Sequence, residues 1–289
     1  MEAVSSPISA PIRSTAVPPG RDDPAGTGAN RARRVLEVRA AYEAALRAVQ
    51  PKPAELAWRL GRFDRGLRLM RELSPRVGAL ERGEFVDLGA AHGGDSCAAI
   101  ALGMNATLAD FRDHEYGILA AHVGRFARVT SSVFDVNGDW PLPIGKFDLA
   151  FAMGLLEHVR SSGGFFEKLR AILRPGGHAV VQTAMALQGI HRDPLFGTPG
   201  TSLLPMAMRR FAAERLLGRR YSCPLKSGTY YSAGPICRAA ARAGLRAEAF
   251  KYADSRMMAR VADWPAAGFW QWALRRYCAD YVLVSRPAE

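Results

Sequence analysis

The stretch Glu84-Phe85-Val86-Asp87-Leu88-Gly89-Ala90-Ala91-His92-Gly93-Gly94 decides how the rest of the chain is read. An apolar run carries an acid, Asp87, at its end and turns sharply at Gly89. It then enters a predicted helix through Gly93 and Gly94. Glycines let a backbone approach a ligand closely, and a helix N-terminus offers unpaired N–H groups to an anion. A strand that delivers a glycine turn to a helix start is therefore a nucleotide-type binding loop.

Outward from that loop, strand and helix signals alternate. Residues 1–30 are rich in Pro, Ser, Ala and Gly without a hydrophobic period, and read as a disordered tail. From 31 the pattern is helical, with Val35, Leu36, Val38, Tyr42, Leu46 and Val49 at spacings of three and four, until Pro51 and Pro53 stop it. A second helix is predicted over 54–73, with Leu56, Leu60, Phe63, Leu67 and Met70 on one face and Pro75 and Gly78 ending it. Together these form a helical cap, 31–80, over a cofactor or substrate cleft.

Downstream, strands over 85–88, 107–109, 127–133, 147–153 and 178–183 alternate with helices near 96–102, 115–125 and 165–173. Such alternation predicts an α/β fold, Rossmann-like, with a parallel-dominated sheet and helices on both faces. The cofactor-binding core is placed at 81–183. Residues 184–232 break the rhythm with turn signals and a basic amphipathic helix around 206–217. They read as an insertion after the fifth strand, on the substrate side. A helix over 233–243 and strands over 246–251 and 281–285 complete the sheet, so 31–289 reads as a single domain.

Composition narrows the class. The chain has 289 residues, of which 48% are hydrophobic, enough for a sizeable core. No apolar run reaches the roughly 20 residues of a membrane span. Without an apolar leader, the expectation is a cytoplasmic protein. Cys97, Cys223, Cys237 and Cys278 are far apart, which suggests neither a metal site nor a disulfide framework. The net charge of +12 comes mostly from arginines spread along the chain beside abundant Ala and Gly. No recognition motif accompanies them, so nucleic acid is not the expected partner. Attraction to acidic surfaces, including anionic lipid or glycan, stays open.

Three acids, Asp87, Asp110 and Asp135, sit at the ends of the first three predicted strands. Ligands of open α/β sheets bind outside those ends. Acids there can accept hydrogen bonds from an amine, a ribose diol and an exocyclic adenine amine. Asp110 lies about twenty residues past Gly89, the spacing that puts an acid at ribose hydroxyls.

In these features the chain resembles the class I S-adenosylmethionine-dependent methyltransferases acting on small molecules, lipids and glycans (methyltransferase type 11-like). The resemblance spans roughly 83–183. It rests on Val86-Asp87-Leu88-Gly89-Ala90-Ala91-His92-Gly93, Asp110, Asp135 before Trp140-Pro141-Leu142-Pro143, Phe147-Asp148-Leu149-Ala150-Phe151-Ala152-Met153 running into Gly154-Leu155-Leu156-Glu157-His158-Val159, and Leu173-Arg174-Pro175-Gly176-Gly177. It implies the cofactor S-adenosyl-L-methionine. Gly89 and Gly93 would approach its methionine part, Asp87 its amine, Asp110 its ribose and Asp135 its adenine amine. The backbone near Ala152 and Met153 would line the sulfonium end. One departure is Ala91, which stands where the loop's middle glycine is usual and is followed by the bulky His92.

Two other readings remain beside it. Gly89-x-Ala91-x-x-Gly94 half matches a nicotinamide dinucleotide fingerprint, although Asp87, Asp135 and the Leu-Arg-Pro-Gly-Gly turn speak against it. A methyltransferase-like module that binds without catalysing is the third.

Methyl transfer to an oxygen usually needs a base near the acceptor. His158 follows the fourth strand, at the acceptor rim. The insertion offers Gly189-Ile190-His191-Arg192-Asp193-Pro194-Leu195-Phe196-Gly197, with Leu204-Pro205 downstream. This stretch loosely resembles methyltransferases of bacterial polysaccharide and glycolipid assembly. His191 would be the base and Asp193 an orienter or sugar ligand. The alternative is turn chemistry, with Asp193 capping a bend before Pro194. The helix at 206–220 could be a lid, an interface or a peripheral membrane-surface contact, or could simply pack with its arginines solvated. The aromatic cluster Trp264, Phe269, Trp270, Trp272 and Tyr277 could stack on a sugar or cover the sheet. The acceptor is expected to be a small molecule, glycan or glycolipid.

Overall fold

Strands and helices alternate as the apolar pattern requires. The computed structural model describes residues 13–15, 28–78, 80–183, 204, 206–216, 218, 232–250, 268 and 281–288. The insertion's His191 and Asp193 and the aromatic cluster at 264–277 lie outside them. In chain order the strands are β1 (Arg13–Thr15), β2 (Glu84–Leu88), β3 (Asn105–Asp110), β4 (Val129–Val133), β5 (Phe147–Met153), β6 (Leu173–Gln182), β7 (Arg246–Phe250) and β8 (Tyr281–Ser285). The strand order is β1-β4-β3-β2-β5 in one part of the chain and β6-β8-β7 in the other. The chain runs outward from β2 through β3 to β4, then returns to place β5 on the other side of β2. That reversal is a topological switch point, where open α/β sheets bind ligands.

The chain divides into two compact units, 1–151 with 172–177 and 152–171 with 178–289. In the first, β2, β3 and β4 are parallel, with Leu88 opposite Ala109 and Asp110 opposite Val133. Phe85, Val86, Asp87 and Leu88 are all buried, as expected of a strand covered on both faces. Phe85 meets Phe151 edge to face at 5.1 Å. Helices α1 (Gly28–Ala48), α2 (Pro53–Val77), α3 (Gly94–Ala101) and α4 (Tyr116–Val123) complete this unit.

Several boundaries differ from those expected. Residues 13–15, inside the segment read as a tail, form β1 and pair antiparallel with the edge of β4, Arg13 opposite Ser131. Strand pairing uses backbone groups, so it needs no hydrophobic pattern. In α1 the buried stripe is Val35, Val38, Ala41, Tyr42, Ala45 and Leu46, while Leu36 is exposed. Leu36 lies about 100° around the helix from Val35 and falls off the stripe. α2 continues through Pro75, whose missing N–H falls in the last turn, and stops at Gly78, whose N–H donates to the Ser74 carbonyl. Its buried face holds Arg59, Phe63, Gly66, Leu67, Leu69, Met70 and Leu73, so a charged residue and a glycine belong to a face read as purely apolar.

In the second unit β6, β8 and β7 are antiparallel, with Val180 opposite Leu283 and Phe250 opposite Tyr281. α5 (Ser162–Ile172) carries the edge-to-face pair Phe165–Phe166. α7 (Gly234–Arg242) buries Ile236, Ala239 and Ala240. The helix expected over 206–217 is split into α6 (Met206–Phe211) and a π-helical turn (Ala212–Leu216), with Met208 and Phe211 exposed. Among the described residues, no helix is long and apolar enough to cross a membrane.

Arg34 ties α1 down. Its Nε and Nη2 donate to the Ile100 carbonyl at the end of α3, and Nη2 also donates to the Phe126 carbonyl past α4, at 2.7 Å. A guanidinium there satisfies carbonyls that helix ends leave open and complements the helix dipole. Arg34→Met keeps the stem and removes these bonds. It is expected to lower unfolding free energy by about 1–3 kcal/mol in urea denaturation; an unchanged midpoint would show that water replaces the guanidinium at no cost.

Candidate cofactor site

The chain must leave β2 and enter α3 within five residues. Gly89 (φ +75°), Ala91 (φ +48°) and Gly93 (φ +74°) all take left-handed backbone. The Gly89 and Ala90 amides donate to the Ala109 carbonyl, tying the turn to the end of β3. The Cys97 amide donates to the Gly93 carbonyl and opens α3. A Cβ on Gly93 would stand 2.5 Å from Leu119 Cδ2 and 2.9 Å from Leu108 Cδ2. A Cβ on Gly94 would stand 2.8 Å from Arg62 Cβ on α2 and 3.3 Å from the Tyr42 hydroxyl on α1. The first glycine serves both backbone and packing; the second admits the helical cap.

Two of the three acids flank this turn. Asp110 Oδ2 accepts the Ala91 amide at 2.9 Å, while Oδ1 accepts the Phe111 amide at 2.7 Å and stands 3.5 Å from His114 Nε2. His114 meets His92 edge to face at 5.0 Å. Burial, then the charge of Arg59 and the neighbouring His114, pushes His92 down to about 4, so its ring is neutral at physiological pH.

Asp87 is fully buried. Its Oδ2 accepts the Ser96 hydroxyl at 2.9 Å, and its Oδ1 has no hydrogen-bond partner among the described residues. Burial, reinforced by the Asp95 carboxylate, pushes Asp87 up to about 7. Arg62 and Arg65 moderate the rise. Both reach Asp95 Oδ2 through their Nη2 atoms, at 3.1 and 2.8 Å.

Asp135 is different. It is exposed past the end of β4, and its Oδ1 accepts both the Asn137 amide and its Nδ2. In the second unit, Ala152 and Met153 are buried at the end of β5, and the Gly154 amide donates to the Gln182 carbonyl. His158 lies half-buried in a 3-10 turn (Leu156–His158). Glu157 beside it is buried and accepts the Thr183 hydroxyl at 2.9 Å.

The apolar pattern gives no sign of Arg59, Arg62, Arg65 and Asp95, and it marks Tyr42 only as a residue of the α1 stripe. The available signal was a row of arginines at spacings of three on α2, together with an acid in the first turn of α3.

Residues 59–249 match the family model described as a methyltransferase domain. No protein of curated function matches the sequence. Among solved structures, an S-adenosylmethionine-dependent methyltransferase from Mesorhizobium loti is similar, with 21% identity, a TM-score of 0.49, and coverage of 74% of this chain and 95% of that one. A Galdieria sulphuraria protein described as a sarcosine dimethylglycine methyltransferase has 13% identity, a TM-score of 0.51, and coverage of 82% and 89%. Phosphoethanolamine N-methyltransferase 2 of Haemonchus contortus, solved with phosphomonomethylethanolamine and S-adenosylhomocysteine, has 16% identity, a TM-score of 0.47, and coverage of 78% and 53%. The chain belongs to the methyltransferase-domain family. It is a methyltransferase enzyme.

Two consequences follow for the turn. Alanine at φ +48° is strained by about 1 kcal/mol relative to glycine. Ala91→Gly is expected to raise Tm by about 2–4 °C in thermal unfolding, whereas Gly93→Ala should lower it; a fall in the first variant would mean that the Ala91 methyl packs productively. The second concerns pH. Asp87 binds its proton more tightly folded than unfolded, so its contribution to stability is full below about pH 4 and is lost as pH rises through about 7. From about pH 5 to about pH 8, ligand-free wild type should lose Tm relative to Asp87→Asn. The opposite slope would show that Arg62 and Arg65 keep Asp87 ionised.

Proposed function

We infer that the turn at 89–93 and its acids hold S-adenosylmethionine, and that the methyl group goes to a hydroxyl of a small molecule or of a sugar in a bacterial glycan or glycolipid. The observation that carries the cofactor assignment is the buried Asp87 oxygen without a partner, next to a turn fixed by Asp110. A carboxylate oxygen sealed from water is costly unless it is protonated or met by a cation. The ammonium of the cofactor's methionine part is such a cation.

Asp110 suits the ribose. An ionised carboxylate offers about four lone-pair sites. The Ala91 and Phe111 amides take two of them and hold the group in place, which leaves capacity for ribose hydroxyls. Gly89 and Gly93 keep the backbone bare where the methionine part approaches. Asp135 is assigned to the adenine amine, with the Asn137 bonds fixing its orientation. The backbone at Ala152 and Met153 is assigned to the sulfonium end.

When bound, the cofactor supplies an electrophilic methyl carbon on a positively charged sulfur. The chain's own residues then have to position the acceptor and remove its proton, and much of the rate comes from positioning. His191 is proposed as the base, with Asp193 orienting it or holding a sugar hydroxyl. His158 is the second candidate. Glu157 is already committed to Thr183 and serves the architecture.

Purified protein and methyl-tritiated cofactor, added to a host-cell extract, test this directly. Label is expected in the glycan or glycolipid fraction, or in a small hydroxyl-bearing product. A small organic-soluble product alone removes the sugar acceptor and keeps methyl transfer. Label confined to protein or nucleic acid overturns the acceptor reading. Near-normal turnover in both His191→Ala and Asp193→Ala would remove those two residues from the mechanism.

A further inference from the structure

In the second unit, α6 leaves apolar side chains uncovered. Met208 is 57% exposed and Phe211 60%. They stand three residues apart, so they share one face of the helix. Among the described elements, the main neighbour of α6 is the π-helical turn (Ala212–Leu216) that continues it. Ala207 and, past the apolar pair, Arg215 are exposed as well. The charge of this stretch is one-sided. Residues 206–220 hold Arg209, Arg210, Arg215, Arg219 and Arg220 against a single acid, Glu214, in a chain whose net charge is +12. An exposed Met and Phe thus sit in an arginine-rich run, a combination that neither plain solvation nor core packing calls for.

We propose that α6 and its π-helical turn dock on an anionic lipid surface, with Met208 and Phe211 entering the acyl boundary and the arginines meeting lipid phosphate. Size and charge select this partner. Two side chains on a six-residue helix offer far less than the roughly 800 Å² per partner that a stable protein interface buries. Shallow membrane insertion needs only an apolar face beside basic charge. A second copy of the chain would set like arginines against one another across a two-fold axis. Nucleic-acid phosphates would meet the arginines and leave both apolar side chains in water. An anionic leaflet satisfies both kinds of group at once, each arginine near its surface adding about fivefold in affinity. Among the described residues no helix is long and apolar enough to cross a membrane, so the contact is peripheral. Docking is independent of which hydroxyl accepts the methyl group, and it would bring the enzyme to the surface that holds a glycolipid acceptor.

Co-sedimentation of the full-length protein with two kinds of vesicle tests this. One is phosphatidylcholine alone, the other phosphatidylcholine and phosphatidylglycerol in equal parts. Wild type should bind the anionic vesicles at least about tenfold more tightly than the neutral ones, and rising salt should release it. Phe211→Gln should weaken binding to the anionic vesicles about tenfold, and Arg215→Gln about fivefold. Both side chains are exposed, so both variants should keep the wild-type Tm. Met208→Gln repeats the apolar test should Phe211→Gln fail to fold. Wild type that binds neither vesicle, or binds both equally, overturns the inference. Phe211→Gln and Met208→Gln that both bind like wild type overturn it as well. A dimer in sedimentation velocity that Phe211→Gln dissolves would assign the face to a second copy and overturn lipid docking. None of these measurements uses the cofactor, so the methyl-transfer reading stands or falls separately.

Discussion

Everything in the first unit is arranged around the passage from β2 to α3, where three of five residues take left-handed backbone. L-residues resist that conformation, so the turn does not hold itself. Its neighbours hold it. The Ala109 carbonyl takes two of its amides and the Asp110 carboxylate takes a third, so the turn is fixed by the end of β3. The parallel pairing of β2 with β3 sets Leu88 against Ala109 and thereby brings Asp110 level with Ala91. A one-residue slip in that register would turn the carboxylate to the opposite face of the sheet. The acid that family resemblance assigns to the ribose is thus also the brace of the loop.

The second constraint is charge buried under the cap. Asp95 lies close enough to Asp87 to raise its cost of ionisation, and Arg62 and Arg65 meet only one oxygen of Asp95. Such a cluster is a poor source of stability, since desolvation offsets much of the attraction. Its value lies in specificity. It forces α2 to lie in one register over α3, because Gly66 must face Asp95 and Gly94 must face Arg62. Apolar side chains alone would tolerate several registers of two packed helices.

The nucleotide-type core was legible because its signals are local: apolar strands, glycines where φ is positive, and an acid at each strand end. The strands of the expected sheet were located for the same reason, although β6 begins at Leu173, five residues early, and runs through the segment 174–177 that reads as a turn. The cap was only half legible. Periodicity located both helices but assigned Leu56 and Leu60 to a face that in fact buries Arg59 and Gly66. An arginine enters a buried face only when a carboxylate or ligand waits there, and that partner lies some thirty residues on. Leu36 was misplaced for a simpler reason, since spacings of three and four admit a residue one step off the stripe. β1 left no trace at all, because an edge strand of three residues is specified by the strand it joins. Asp135 was placed correctly at a strand end, yet its local hydrogen bonds to Asn137 follow from turn chemistry that any Asp-x-Asn could adopt.

The two ends of the strands in the first unit treat charge in opposite ways, and the contrast locates the ligand. At the amino ends, Glu84 pairs with Arg128 and Lys146, its amide donates to Asp148, and Asp148 pairs with Arg174. Those groups are matched one against another and part-exposed, so nothing further is needed to satisfy them. At the carboxyl ends the charges are buried and incompletely matched: an oxygen of each of Asp87 and Asp95, three arginine Nε groups and two tyrosine hydroxyls have no hydrogen-bond partner among the described residues. Native interiors rarely leave such groups unmet, so each calls for a partner. Strand-end geometry selects this edge for a ligand on topological grounds alone. The buried, incompletely matched groups gather at the same edge.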